Sequence, residues 1–372
     1  MMNKEHENPI LPQRQDSKRL ISLDAVRGLA VIGMFIQHFA LNTANSFVSG
    51  NTMILFMLCS GMSYSIMVKR MTEREVEPVV FRARMLARAV FIDLVGYILI
   101  MLNGPFAVVL PAYAMLFILA LFLIRRSTRV LFTTSCILFL VGPPLMLLGL
   151  RLFSGVDLLG DIAGGPLSAL GWAPIFVTGM AIGRLNLHST RTALRFIAAG
   201  FTIFVPSKVI AYFVLPELRQ SFETWLLQFP SIANPQVDSY AIWPMNTQQP
   251  PWQMLFLVSP QCGSTFELLI GTGLSLIVLG LVCLIAKKCA SILKPFSSVG
   301  RVALTMYTFQ FVIVWGLKIV GIDIMEIDIG AIPFGDILVA AVVLITGSLI
   351  IRLPNGPLES LIRGFERIFS KV

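Results

Sequence analysis

The run RLISLDAVRGLAVIGMFIQHFA, residues 19–40, sets Asp24, Arg27 and His38 in a stretch otherwise apolar enough for lipid. A helix turns about 100° per residue, which puts Arg27 about 60° and His38 about 40° to one side of Asp24. The three therefore share one narrow face. At about 1.5 Å of rise per residue, that face runs roughly 21 Å from Asp24 to His38. Ionisable groups inside a membrane helix are costly, so they face a bundle interior or a wet cavity and often mark a pathway or site. A neutral imidazole at one end suits a general base that takes a proton from a hydroxyl or amine. A guanidinium at the other end suits an anion. A plainer reading stands beside this one: Asp24 and Arg27, three apart, pair to anchor the helix start, and His38 lies near the membrane interface.

Other residues add to the candidate chemistry. Arg301 opens a later apolar run and reads either as a second anion-binding group or as a cytoplasmic-side anchor. Tyr307, two turns deeper, is either a packed aromatic or a hydroxyl in the site. Glu267, just inside another apolar run, could orient His38 or pair with Lys208 or Lys318. Gly179 and Gly183, in GMAIG, read as small residues that let helices approach closely. His6, His38 and His188 lie in three separate regions and no CxxC pair occurs, so no metal site is expected. Of five cysteines only Cys262 falls in an expected outer loop, which excludes an intramolecular disulfide on that side.

These residues must be positioned by membrane helices. The 372 residues are 56% hydrophobic and 13% charged, with a mean hydropathy of +0.81. That balance is too apolar for a soluble protein. Ten apolar segments are expected near 20–41, 50–68, 86–103, 105–124, 130–150, 167–183, 195–215, 263–286, 302–320 and 333–351. No alternating barrel pattern occurs, so the spans read as helices. The fold class is an all-α integral membrane protein, a bundle of about ten transmembrane helices. Residues 1–19 read as a disordered cytoplasmic tail and not a signal peptide, 20–352 as the bundle, and 353–372 as a cytoplasmic C-terminal tail.

The net charge of +9 sorts by topology. Of 29 Lys and Arg, all but five fall in tails, loops or helix ends on the side of the N-terminus. Arg151 and Arg219 lie in outer loops; Arg27, Lys208 and Lys318 lie within spans. This asymmetry follows the positive-inside rule, makes both termini cytoplasmic and argues against a nucleic-acid partner. The long outer segment 216–262 carries Trp225, Trp243 and Trp252. It reads as an interfacial aromatic belt or as a lid over an outward-facing site.

Five segments in order resemble the transmembrane acyltransferase superfamily over about residues 19–367. SLDAVRGLAVIGMFIQH resembles the LDxLRxxA-to-His first helix of acyltransferase family 3, and also the first helix of heparan-α-glucosaminide N-acetyltransferases. GNTMILFMLCSGMSYSI (50–66) and VVLPAYAMLFILAL (108–121) resemble later segments of that group. SSVGRVALTMYTFQ (297–310) and NGPLESLIR (355–363) resemble the GRxALTxY and GPLExxxR segments of a bacterial branch labelled only as a domain of unknown function.

The resemblance implies transfer of an acyl group, usually acetyl, from cytoplasmic acyl-CoA to an acceptor across the membrane. It implies His38 as the base with Asp24 as accessory, Arg27 and Arg301 at the CoA moiety, and no metal. Tyr307, Gln310, Gln261 and Glu267 would line the remainder of the site. The implied setting is a bacterial cytoplasmic membrane, with membrane lipid and a carbohydrate, glycolipid or cell-envelope precursor as partners and homo-oligomer formation left open. The chain departs from the pattern: FALNTANSFVSGN lacks the His of the loop after the first helix, and Gln261 and Gln310 stand where His is expected. Two alternatives therefore remain, a transporter or flippase for a lipid-linked or small hydrophobic solute, and a non-catalytic envelope-assembly partner.

Overall fold

The computed structural model describes residues 20–153, 157–226, 228, 251–352 and 356–369. Among the described residues there are α-helices, short 3-10 turns and no strand. The helices are α1 (Ile21–Phe39), α2 (Asn51–Glu73), α3 (Pro78–Met101), α4 (Leu110–Ala120), α5 (Thr128–Leu152), α6 (Asp157–Ala163) and α7 (Ala169–Ile182). They continue as α8 (Thr190–Phe213), α9 (Leu215–Leu226), α10 (Thr265–Lys288), α11 (Lys294–Arg301), α12 (Ala303–Ile319), α13 (Gly335–Ile350) and α14 (Pro357–Ile368). The expected tail 1–19 lies outside the described residues.

Each of the ten expected apolar segments holds a helix, but helix and span are different things. Four helices, α2, α5, α8 and α10, are long and apolar enough to cross a membrane, or five if the bent pair α11 and α12 counts as one. These are the marks of a helical membrane protein. By contrast α4, α7 and α13 have 11, 14 and 16 residues, short of the roughly 20 that a straight span needs. In the segment expected at 105–124, for example, the turn at Asn103 and Gly104 and the prolines Pro105 and Pro111 delay the helix until Leu110. The C-terminal stretch, expected only as a tail, holds α14. That helix packs on α3 through an Arg88–Glu366 ion pair at 2.5 Å and Phe91 against Phe365.

The interior is apolar and close-packed around Trp172, Tyr64, Phe117 and Phe176, with a second cluster of Val31, Phe35, Val299 and Met306 joining α1, α11 and α12. The exterior is apolar as well, as Leu140, Val90 and Ile337 illustrate. Basic connections gather at one end. Arg184 donates to the carbonyls of Arg126 and Ile124, and Lys287 bonds Thr190. His38 lies at the other end of α1.

The tightest contact is between α1 and α11. A Cβ on Gly300 would lie 1.8 Å from the Asp24 carbonyl oxygen, and one on Gly28 would lie 1.9 Å from that of Phe296. The two backbones therefore touch, as small-residue interfaces permit. Gly179 and Gly183 do the same for α7 against α2, facing the carbonyls of Leu58 and Met62. Replacing Gly300 by Val forces α11 off α1. The expected cost is about 3 kcal/mol or more, at or beyond the upper end of ordinary overpacking, read as a lower thermal midpoint in detergent; an unchanged midpoint would refute the close contact.

Candidate functional site

The stripe on α1 divides into two ends with different surroundings. Arg27 Nη1 donates to Asp24 Oδ1 at 3.4 Å and to the Gly300 carbonyl at 3.2 Å, while Nη2 donates to the Ser63 hydroxyl. Asp24 is buried. Arg27 thus ties α1 to α2 and α11, and both its terminal nitrogens are engaged within the protein. Asp24, 14 residues from His38 on the same straight helix, pairs with Arg27 and is too distant to support the imidazole. Arg301 follows Gly300 at the end of α11 and belongs to this same end.

At the other end His38 is held on two sides. Its Nδ1 lies 3.0 Å from Oε1 of Gln310, and its ring stacks on Phe106 with centroids 4.0 Å apart and planes 8° from parallel. Phe106 is braced edge-on by Phe39 and Phe311. Gln310 is completely buried, with its amide nitrogen toward Met34 Sδ. An amide oxygen accepts, so this pairing puts the imidazole proton on Nδ1 and leaves the Nε2 lone pair unprotonated, the form a base needs.

His38 lines a cavity of about 530 Å³ of empty space, its mouth included. Gln37, Thr52, Gln261 and Tyr307 supply its polar wall, and Met34 and Phe56 part of its apolar wall. Thr52 Oγ1 donates to Gln37 Oε1 at 3.2 Å. The buried Tyr307 hydroxyl accepts from the Val109 N–H at 3.1 Å. Its own proton has no acceptor among the described residues. Four of the residues singled out in the sequence, His38, Gln310, Tyr307 and Gln261, therefore come together, while Asp24, Arg27 and Arg301 form a separate group.

Glu267 belongs behind the cavity wall and pairs with neither His38 nor a lysine. In Ser264-Thr265-Phe266-Glu267 the Ser264 hydroxyl accepts from the Glu267 N–H at 3.2 Å. The carboxylate accepts from the N–H of Gly263 at 2.7 Å and from that of Gln261. The serine thus makes its half of a capping box, while the carboxylate reaches past the N-cap to close the loop that presents Gln261, whose φ is +62°. The signature S-x-x-E was readable in the sequence and marks the helix start. Of the expected belt or lid at 216–262, α9 and residues 251–262 are described; residue 227 and residues 229–250, Trp243 among them, lie outside the described residues.

Residues 239–367 match a family described as "Protein of unknown function (DUF418)". The match covers both SSVGRVALTMYTFQ and NGPLESLIR, and with them Gln261, Glu267, Tyr307 and Gln310, but not the α1 stripe. No curated protein matches the chain.

One further residue within that matched region positions the site. The axes of α11 and α12 meet at 72°, and a helix that starts inside a bundle exposes its first N–H groups. Glu359 of α14 accepts from the N–H of Leu304 at 2.9 Å and of Thr305 at 3.1 Å, and from the Thr305 hydroxyl at 2.5 Å. It caps α12 from another helix, and α12 carries Tyr307 and Gln310. Glu359→Ala should destabilise the protein by about 1–2 kcal/mol. Thr305→Ala should add little in that background, because both side chains serve one cap. Thermal unfolding of the double-mutant cycle in detergent measures this, and fully additive losses would refute a shared cap.

Proposed function

We propose that the chain is a membrane-embedded acyltransferase that moves an acyl group from cytoplasmic acyl-CoA to a hydroxyl or amine acceptor on the other side of the membrane. The observation that carries the reading is a half-buried histidine, oriented by a neutral amide, on the wall of a cavity that also holds a tyrosine hydroxyl with a proton to donate. His38 Nε2 takes the acceptor proton as the acceptor oxygen or nitrogen bonds the thioester carbon. Tyr307 donates toward the carbonyl oxygen, where negative charge develops. The C–S bond then breaks and the imidazolium returns the proton to the departing thiolate.

Gln310 in place of a histidine keeps this scheme with a single base. An amide does not titrate near neutrality, so it holds the His38 tautomer at any working pH. The cavity suits the acyl end of the donor. Because Arg27 is engaged internally, the anionic end of CoA falls to Arg301 and to the basic loops gathered at the Asp24 end, the cytoplasmic side by the distribution of Lys and Arg.

Purified protein in liposomes should release CoA from acetyl-CoA when an envelope extract is present as acceptor. His38→Ala should lower that release by about 10²-fold or more, and Tyr307→Phe by about 10²-fold in kcat, with thermal midpoints close to wild type. No release from wild type would sink the acyltransferase reading and bring a transporter or a scaffold to the front.

A further inference from the structure

A second cavity, of about 680 Å³ of empty space with its opening, lies against the first. Neighbouring residues of the chain line the two at two places. Asn51 lines the second cavity and its neighbour Thr52 the first; Pro260 lines the second and its neighbour Gln261 the first. The wall is tight at Gly50, where a Cβ would lie 3.2 Å from Pro260 Cα and 3.3 Å from Glu267 Oε1, and where φ is +75°. A larger residue at 50 is strained by that φ and would also have to push Pro260 aside slightly.

The lining of this second cavity is mixed and carries a cation. Ser46, Ser49 and Asn51 are among its polar residues, Phe47 and Ile270 among its apolar ones, and Lys208 is the one lysine or arginine among the described residues lining either cavity. The carboxylate in the lining, Glu267, accepts from backbone N–H groups and lies beyond ion-pair distance of Lys208. Among the described residues Lys208 has no hydrogen-bond or ion-pair partner. It sits on α8, a helix of membrane-crossing length, five residues before its end. Val205 and Tyr212, three residues before it and four after, share its face and are 49% and 77% exposed. A cation on an apolar face within a span is costly without a counter-charge. A phosphate at Lys208, with acyl chains along Val205 and Tyr212, supplies one.

We propose that the second cavity binds the phosphate-bearing headgroup of an anionic lipid, with Lys208 as its counter-charge. Given the acyl-transfer reading, on which this last step rests, the acceptor is an anionic, hydroxylated, lipid-linked molecule whose headgroup is held beside the His38 cavity.

The test uses the full chain in detergent without acetyl-CoA. Binding of dihexanoyl phosphatidylglycerol, dihexanoyl phosphatidylcholine and inorganic phosphate is measured by native mass spectrometry for wild type, Lys208→Gln and Lys208→Arg. Phosphatidylglycerol binding should fall about five- to tenfold in Lys208→Gln and be retained in Lys208→Arg, with phosphatidylcholine weak throughout. Equal phosphatidylglycerol binding by wild type and Lys208→Gln would overturn the proposal, leaving a lysine that merely reaches to the interface. Inorganic phosphate binding as tightly as phosphatidylglycerol would overturn the lipid assignment. Failure here leaves the chemistry at His38 untouched, and an absence of CoA release would leave this binding site standing.

Discussion

Backbone N–H groups freed inside an apolar bundle must find acceptors, and the break between α11 and α12 frees several at once. The carboxylate of Glu359 accepts two of them together with the Thr305 hydroxyl. The direction of α12 follows from that cap, and with it the approach of Gln310 to His38 and of the Tyr307 hydroxyl to the Val109 N–H. Below the break, α11 lies against α1 with glycine on each side, so the two halves of the bent pair meet α1 at different levels. One half meets the Asp24 end and the other delivers the residues around His38.

The α1 stripe therefore does two kinds of work along one face. At one end, Arg27 gathers Asp24, Ser63 and the Gly300 carbonyl, which converts an expensive, largely enclosed charge into a joint among three helices. At the other end, the polar group is oriented by uncharged partners and not paired with a counter-charge. A buried amide and a stacked aromatic ring hold an imidazole in place without adding charge to the cavity. This separation of a charged structural end from an end held by uncharged groups suits the proposed acyl transfer, in which charge should develop only in the transition state.

The two cavities extend the same economy of charge. Glu267 lines the second cavity with its oxygens turned back onto the loop it closes, so it shapes Gln261 and leaves Lys208 to meet any ligand. On the proposed reading, a cation-bearing cavity next to the His38 cavity divides the holding of a headgroup from the reaction with it.

Much of this was legible from local pattern. The apolar runs located a helix in each of ten places, because burial in lipid or core demands the same hydrophobic periodicity over a stretch of chain. Helical geometry alone put Asp24, Arg27 and His38 on one face; Glu267 was singled out as well, but toward His38 or a lysine and not toward the loop it holds. What sequence could not decide were contacts between residues far apart in the chain. Gln310 lies 272 residues from His38. Glu359 reaches α12 from a C-terminal stretch that read as a tail, and Phe106 sits in a turn with no signal of its own. Periodicity and capping are set by neighbours within a turn or two of helix. Which helix meets which, and at what level, depends on glycine contacts, a 72° bend and a cap supplied from outside the helix it serves, and those exist only once the chain is packed.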